Sequence, residues 1–286
     1  MDTKEIIVLA FKLAIFGTMF GYGLKATTGD LLYLLLRPRL ALRSVLSVMV
    51  IMPVLVVAAV KILDLRTAVE ATLVALAISP VPPLLPKKQT KAGGVASYAL
   101  GLLILLALVA IAAIPLWVEL LGYVFDRSFA VNPGAIVRIV LVMIVLPLAA
   151  GMAVHALLPH IAARLETPVR WLSNGLLVLA ALALLSGAWG AVLNALGNGT
   201  VVALAGLVAV GLAVGHMLGG PEPQQSTVLA LASASRHPAI ALSIATVNYP
   251  DQRFVGIVLL YLIISAVLCV PYVAWQRRRS VSVASL

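Results

Sequence analysis

The 286 residues are 63% apolar and only 10% charged, with a mean hydropathy of +1.13, a balance that excludes a soluble globular protein and leaves a polytopic membrane protein. About 20 apolar residues cross a bilayer's hydrocarbon core, so roughly nine spans use up the chain and leave no soluble domain. The net charge of +10 sits on Lys and Arg between apolar runs, where membrane topology accounts for it and no nucleic acid partner is implied.

Divided at charges, prolines and glycines, the chain predicts spans at residues 5–25, 41–63, 67–85, 94–122, 132–158, 168–196, 199–219, 224–248 and 253–276. The first opens on MDTKEIIVLAFKLAIF, which lacks a basic leader and a small-residue cleavage site and so reads as a span and not as a removable signal. The third runs TAVEATLVALAISPVPPLLPKKQTKAGG. Its Pro80, Pro82, Pro83 and Pro86 each remove a backbone donor and clash with the preceding turn, so no continuous helix survives there. Lys87, Lys88 and Lys91 follow the break, either as topology signals or as an electropositive vestibule for anions. Glu70 and Glu119 fall near span ends and read as interfacial. An NGT at Asn198 fits a glycosylation pattern too short to carry weight, and His216, closing the seventh span, is ambiguous in the same way as the two acids.

The eighth span, PEPQQSTVLALASASRHPAIALSIATVNYP, places Arg236, His237 and Pro238 mid-span behind the small residues Ala232, Ser233, Ala234 and Ser235. The ninth holds Cys269, the single cysteine, which can form no internal disulfide. Broken backbone at membrane depth is tolerated only inside protein or along a water-filled cavity. Two interrupted spans in separate halves of the chain therefore predict a repeat-built transporter whose substrate site lies where they meet. An ionised group at that depth costs at least about 2.5 kcal/mol, so Arg236 either serves a substrate pocket or tethers backbone carbonyls in a solvated break. His237 is either a proton-coupling group or a hydrogen-bonded structural residue. Ser233 and Ser235 either donate to a substrate oxygen or, more commonly for such residues, back-bond to their own helix.

Twelve of the 20 basic residues, among them Lys25, Arg37, Arg39, Arg43, Arg164, Arg170 and Arg277, fall in the connections after spans one, three, five and seven and in the C-terminal segment. Five, Lys4, Lys61, Arg66, Arg127 and Arg253, fall on the opposite side, and Lys12, Arg138 and Arg236 within spans. Positive loops stay in the cytoplasm, so the N-terminus is expected outside and the C-terminus inside a plasma or inner membrane.

Several segments, in order, resemble the bile acid:sodium symporter family: LAIFGTMFGYGLKATTGDLLYLLLRPRLALRSVL as its early helix and loop, VMVIMPVLVVAAV as the Met-Pro helix, AISPVPPLLPKKQTKAGG as the first crossover and RHPAIALSIATVNYP as the second. The resemblance covers about residues 10–275 and marks a remote branch. It implies an all-α inverted-repeat fold with two broken, crossing helices, a core at about 41–122 and 199–277, and a panel at about 5–25 and 132–196. The nine spans correspond to a ten-helix member without its first helix.

The resemblance also implies where sodium ligands belong, and this chain departs there. The family's Ser-Asn after Pro-Gly-Gly falls on Leu85 and Pro86, its Glu and Gln of the second crossover on Ala232 and Arg236, and its Gln before Met-Pro on Val48 or Met49. Sodium needs hard oxygen ligands, which these side chains lack, so the guanidinium of Arg236 is expected to stand as a fixed cation in its place. The expected function is transport of a small organic anion, bile-acid-like or another carboxylate, by alternating access and without the family's usual sodium coupling. Arg236, His237, Ser233, Ser235, Pro82 and Pro83 are the expected substrate site. The alternative is a transport-inactive sensor or assembly partner of the same fold. The chain shows no Ser/His/Asp ordering, HExxH, Walker loop or cysteine pair, so no enzyme, cofactor or metal is expected, and the oligomeric state stays open.

Overall fold

Apolar runs of this length satisfy their backbone groups internally, and the computed structural model is accordingly helical in every element; it describes residues 3–126, 128–250 and 252–284, with backbone alone for residues 3, 4 and 280–284. Arg127, one of the bases assigned to the minority side, lies outside the described residues, as does the side chain of Lys4. The elements are α1 (Thr3–Gly23), α2 (Thr28–Leu32), α3 (Pro38–Val45), α4 (Met52–Ile62), α5 (Thr67–Ile78), α6 (Leu85–Lys91) and α7 (Ala96–Phe125), then α8 (Pro133–Val140), α9 (Leu146–Leu157), α10 (Pro159–Ala195), α11 (Thr200–Leu218), α12 (Pro223–Ala234), α13 (Pro238–Asn248) and α14 (Val255–Ala284). A π-helical turn joins α3 to α4 at Leu46–Ile51, and a second joins α8 to α9 at Leu141–Val145.

Among the described residues, eight helices, counting α3–α4, α8–α9 and α12–α13 as one each, are long and apolar enough to cross a bilayer. The third expected span contributes only the short apolar helix α5, because the prolines end it at Ile78 and not at residue 85. Helix α6 resumes with Pro86 in its first turn, where a missing N–H is harmless. The sixth span needs the largest correction, since α10 starts at Pro159 and carries Pro168 inside it. The segment PHIAARLETPVR is a polar extension of an apolar helix, and reading charge as a helix end misplaced the boundary.

The packing falls into two groups. Helix α1 lies on α9 and α10; separately, α5 packs on α4 and α13, α6 on α7 and α12, and α11 on α12 and α14. The contacts of α10 with α14 and of α7 with α8 join the groups. Helix α12 is buried on all sides from Ser226 to Ala234, as befits a helix in the middle of a bundle. Two contacts gather the basic connections on one face: Lys25 Nζ lies 2.7 Å from a Glu166 carboxylate oxygen, and Arg277 Nε donates to the Lys91 carbonyl at 2.8 Å.

Helix α2 on that face is closed by a capping box. Asp30 accepts from the Thr27 amide and hydroxyl, both at 2.8 Å, and from the Ser97 hydroxyl of α7 at 2.5 Å. Partial burial pushes the Asp30 carboxyl up, but the hydrogen bonds outweigh it and hold its pKa below the ordinary carboxylate value. A group depressed in the folded state stabilises above its unfolded pKa, near 3.9, and loses that contribution as pH falls through the folded value. Asp30→Asn should therefore lower the thermal midpoint at neutral pH, with the gap from the parent narrowing below about pH 4; a gap independent of pH would contradict this.

Candidate functional site

The site grows from one proline. In an α-helix Pro53 would donate to the Met49 carbonyl, but proline has no N–H. The preceding turn widens instead, so that the Met52 N–H reaches Ser47 O, five residues back, and the Val48 carbonyl also loses its helical donor. Two carbonyls are thereby turned out of the helix. Trp117 Nε1 of α7 donates to Met49 O at 2.7 Å, and Arg236 Nη1 donates to Val48 O at 2.9 Å.

Arg236 lies between α12 and α13, in a non-helical break of three residues, Ser235 to His237. Its Nη1 also donates to Ser79 O at 3.3 Å, the carbonyl at the C-terminal end of α5. One guanidinium nitrogen thus ties the π-turn to the first break, at a helix end whose dipole favours a cation. Tyr261 of α14 holds the break itself, since its hydroxyl accepts from Arg236 N at 2.7 Å and donates to Ala234 O at 3.1 Å. The breaks meet directly as well: His237 N donates to Pro80 O at 2.7 Å, and Gln89 Nε2 of α6 donates to Val228 O of α12 at 2.7 Å.

Arg236 is 1% exposed, and no carboxylate pairs with it among the described residues, whose ion pairs are Lys25–Glu166 and Arg170–Glu166. Its Nε and Nη2 are buried without a partner. Those two nitrogens form one edge of the guanidinium fork, the edge that binds carboxylates bidentately.

The other expected site residues take different parts. His237 caps α13, with Nδ1 accepting from Ile240 N at 3.4 Å, which leaves the proton on Nε2. Ser233 does not back-bond to its own helix: its hydroxyl pairs with that of Ser47 at 2.7 Å, because the small residues of α12 let the π-turn approach. Ser235 is buried beside Arg236, and Pro82 and Pro83 form the non-helical linker of the first break, half-buried and buried respectively. At the positions matched to sodium ligands, Leu85 and Pro86 begin α6 as buried apolar side chains, Ala232 is enclosed in α12, and Val48 and Met49 contribute carbonyls already taken by Arg236 and Trp117. This donor set does not fit sodium, and no group of three or more His, Cys, Asp or Glu side chains placed to hold a metal occurs among the described residues.

A cavity of about 540 Å³ opens beside this crossing, between α6, α10 and α14 on the basic face. Lys87, Lys88, Lys91 and Arg277 line it with Asn174, and Leu177 and Val270 are among its apolar walls; no acid lines it. That volume suits a small organic molecule. None of Arg236, His237, Ser233, Ser235, Pro82 and Pro83 lines the cavity, so the arginine crossing and the cationic cavity are separate features. Sequence reasoning missed Asn174 and Arg277 as lining residues, and Trp117, Tyr261 and Ser47 as partners. Asn174, an amide inside the apolar run WLSNGLLVLA, was the one visible signal.

The model of the Sodium Bile acid symporter family matches residues 12–203, more than half of the chain. No curated protein matches it. The matched region includes the π-turn and the first break, while the second break lies beyond it.

Proposed function

Since the chain belongs to the sodium bile acid symporter family, we propose that it is a secondary transporter of an amphipathic organic anion, not coupled to sodium at the family's usual positions. The observation that carries this reading is Arg236, a buried cation bonded to the Val48 and Ser79 carbonyls where the resemblance puts a sodium ligand. A mobile cation leaves with the substrate, whereas a tethered one stays, so the crossing needs no sodium to hold the broken helices together. The free Nε/Nη2 edge is left for the carboxylate of a substrate once the crossing opens.

The cationic cavity is the substrate's way in: four bases draw the anionic head, and the apolar walls accept the body. Helices α1 and α8–α10 act as the panel and the rest as the core, the two moving past each other in alternating access. Positive-inside topology puts the cavity on the cytoplasmic face of a cell membrane, with the N-terminus outside.

The test is uptake and counterflow in proteoliposomes with a panel of carboxylates, steroidal and aliphatic, in sodium and in choline buffers. Saturable uptake, equal in both buffers, is the expected result. Absence of flux across the panel would leave the transport-inactive sensor reading standing, and sodium-dependent uptake would overturn the fixed-cation assignment.

A further inference from the structure

Helices α10 and α14 touch most closely towards the face opposite the bases. A Cβ on Gly256 would stand 2.1 Å from the Ala191 carbonyl oxygen, an approach only glycine permits. Towards the basic face the cavity lies between the same two helices, with α6 as its third wall. One bond joins two of its walls: Lys87 Nζ of α6 donates to Asn174 Oδ1 of α10 at 2.5 Å. Helix α6 otherwise packs on α7 and α12, and no other hydrogen bond between α6 and α10 occurs among the described residues.

Lys87 is poorly served by this partner. It makes no ion pair among the described residues, and its amide acceptor is neutral. Burial, and then the like charges of Lys91 and Arg170, press its pKa below the usual lysine value. An anionic oxygen at the same spot adds a Coulombic attraction to the ammonium that a neutral amide cannot supply, and relieves the repulsion.

We propose that Lys87 and Asn174 form a strap released by substrate: the Lys87 ammonium leaves the Asn174 amide for the anion's carboxylate, and the bond between the α6 and α10 walls of the cavity is given up. Lys87 then contacts substrate, and Asn174 is a positioning residue that competes for it. The inference rests on the transporter reading above, because the strap has meaning only if an anion occupies the cavity.

The competition predicts opposite effects at one position. Asn174→Ala removes the competitor, so the KM for cholate and octanoate in proteoliposome uptake falls, about threefold or more. Asn174→Asp, nearly equal in volume, gives Lys87 an ionic partner, so KM rises about tenfold and the maximal rate drops, the fold-change for about 1.4 kcal/mol of extra competition. In a Lys87→Met background the two Asn174 variants become equivalent, which a merely structural role for Asn174 does not predict. Wild-type uptake with unchanged KM in both variants, or a fall in KM with Asn174→Asp, overturns the strap and leaves the transporter reading intact. Wild-type protein that takes up neither anion overturns the strap along with its premise for these anions.

Discussion

Arg236→Met is expected to yield a folded protein that no longer transports anions, with a thermal midpoint within a few degrees of the parent. Two opposing effects explain the small change in stability. Removing the guanidinium orphans the Val48 and Ser79 carbonyls, at about 1–3 kcal/mol each. It also removes a buried cation with no carboxylate partner, whose burial costs at least about 2.5 kcal/mol. Methionine fills a similar volume, and exchanging buried ionic groups for apolar ones of like size is often close to neutral. Transport has no such offset, because the fixed charge and the free fork both disappear. Arg236→Lys keeps the charge but loses the fork, so it should retain stability while losing selectivity for carboxylates.

The fixed-cation assignment makes a sharper demand on the pair that the resemblance equates with Glu and Gln. Ala232→Glu combined with Arg236→Gln restores one carboxylate, one amide oxygen and the two freed carbonyls, a hard-oxygen set suited to a monovalent cation. Sodium, but not choline, should raise the thermal midpoint of this double variant and leave the parent unmoved. A sodium-dependent shift in the parent would refute the assignment.

Gly215→Val should be among the most damaging single changes to the fold, at about 3 kcal/mol or more, and should abolish folding in many conditions. Helices α11 and α12 meet backbone to backbone: a Cβ on Gly215 would stand 2.4 Å from Leu229 O and 2.5 Å from Ala230 Cα, and one on Gly211 would stand 2.6 Å from Ser233 O. These atoms are carbonyl and main chain, which no rotamer change can move aside. Pushing α12 away also displaces Ser233 from Ser47 and draws Arg236 off its carbonyls, so stability and transport fall together. Gly190 and Gly206 serve as controls, since nothing lies within 4 Å of an added Cβ at either. Alanine there should be neutral or stabilise by about 0.5–1 kcal/mol, as replacing a mid-helix glycine usually does. Scanning fluorimetry of detergent-purified variants separates the two classes, and equal losses at Gly190 and Gly215 would contradict the close-packing argument.

The spacing GLAVG at residues 211–215 is a close-packing pattern legible in the sequence, and it carries the α11–α12 contact. Span positions were legible because apolar length and proline act locally, and each break was placed within a few residues. The start of α10 was not, since a polar helical extension and a loop share the same charges. Arg236 stood out because charge is rare at membrane depth. Its partners stayed hidden because they are the carbonyls of Val48 and Ser79, and a carbonyl is common to every residue and leaves no mark in the sequence.

By itself, then, the sequence determined that the chain is a helical membrane protein with two broken spans, basic connections and, among the bases within spans, an arginine at a break, all consequences of side-chain type and local backbone chemistry. Only the tertiary structure decided what that cation holds and where a cavity opens. The first depends on a π-turn that redirects two backbone oxygens, and the second on helices that touch at Gly256 and enclose a cavity between Asn174 and Arg277, both set by packing between segments far apart in the chain.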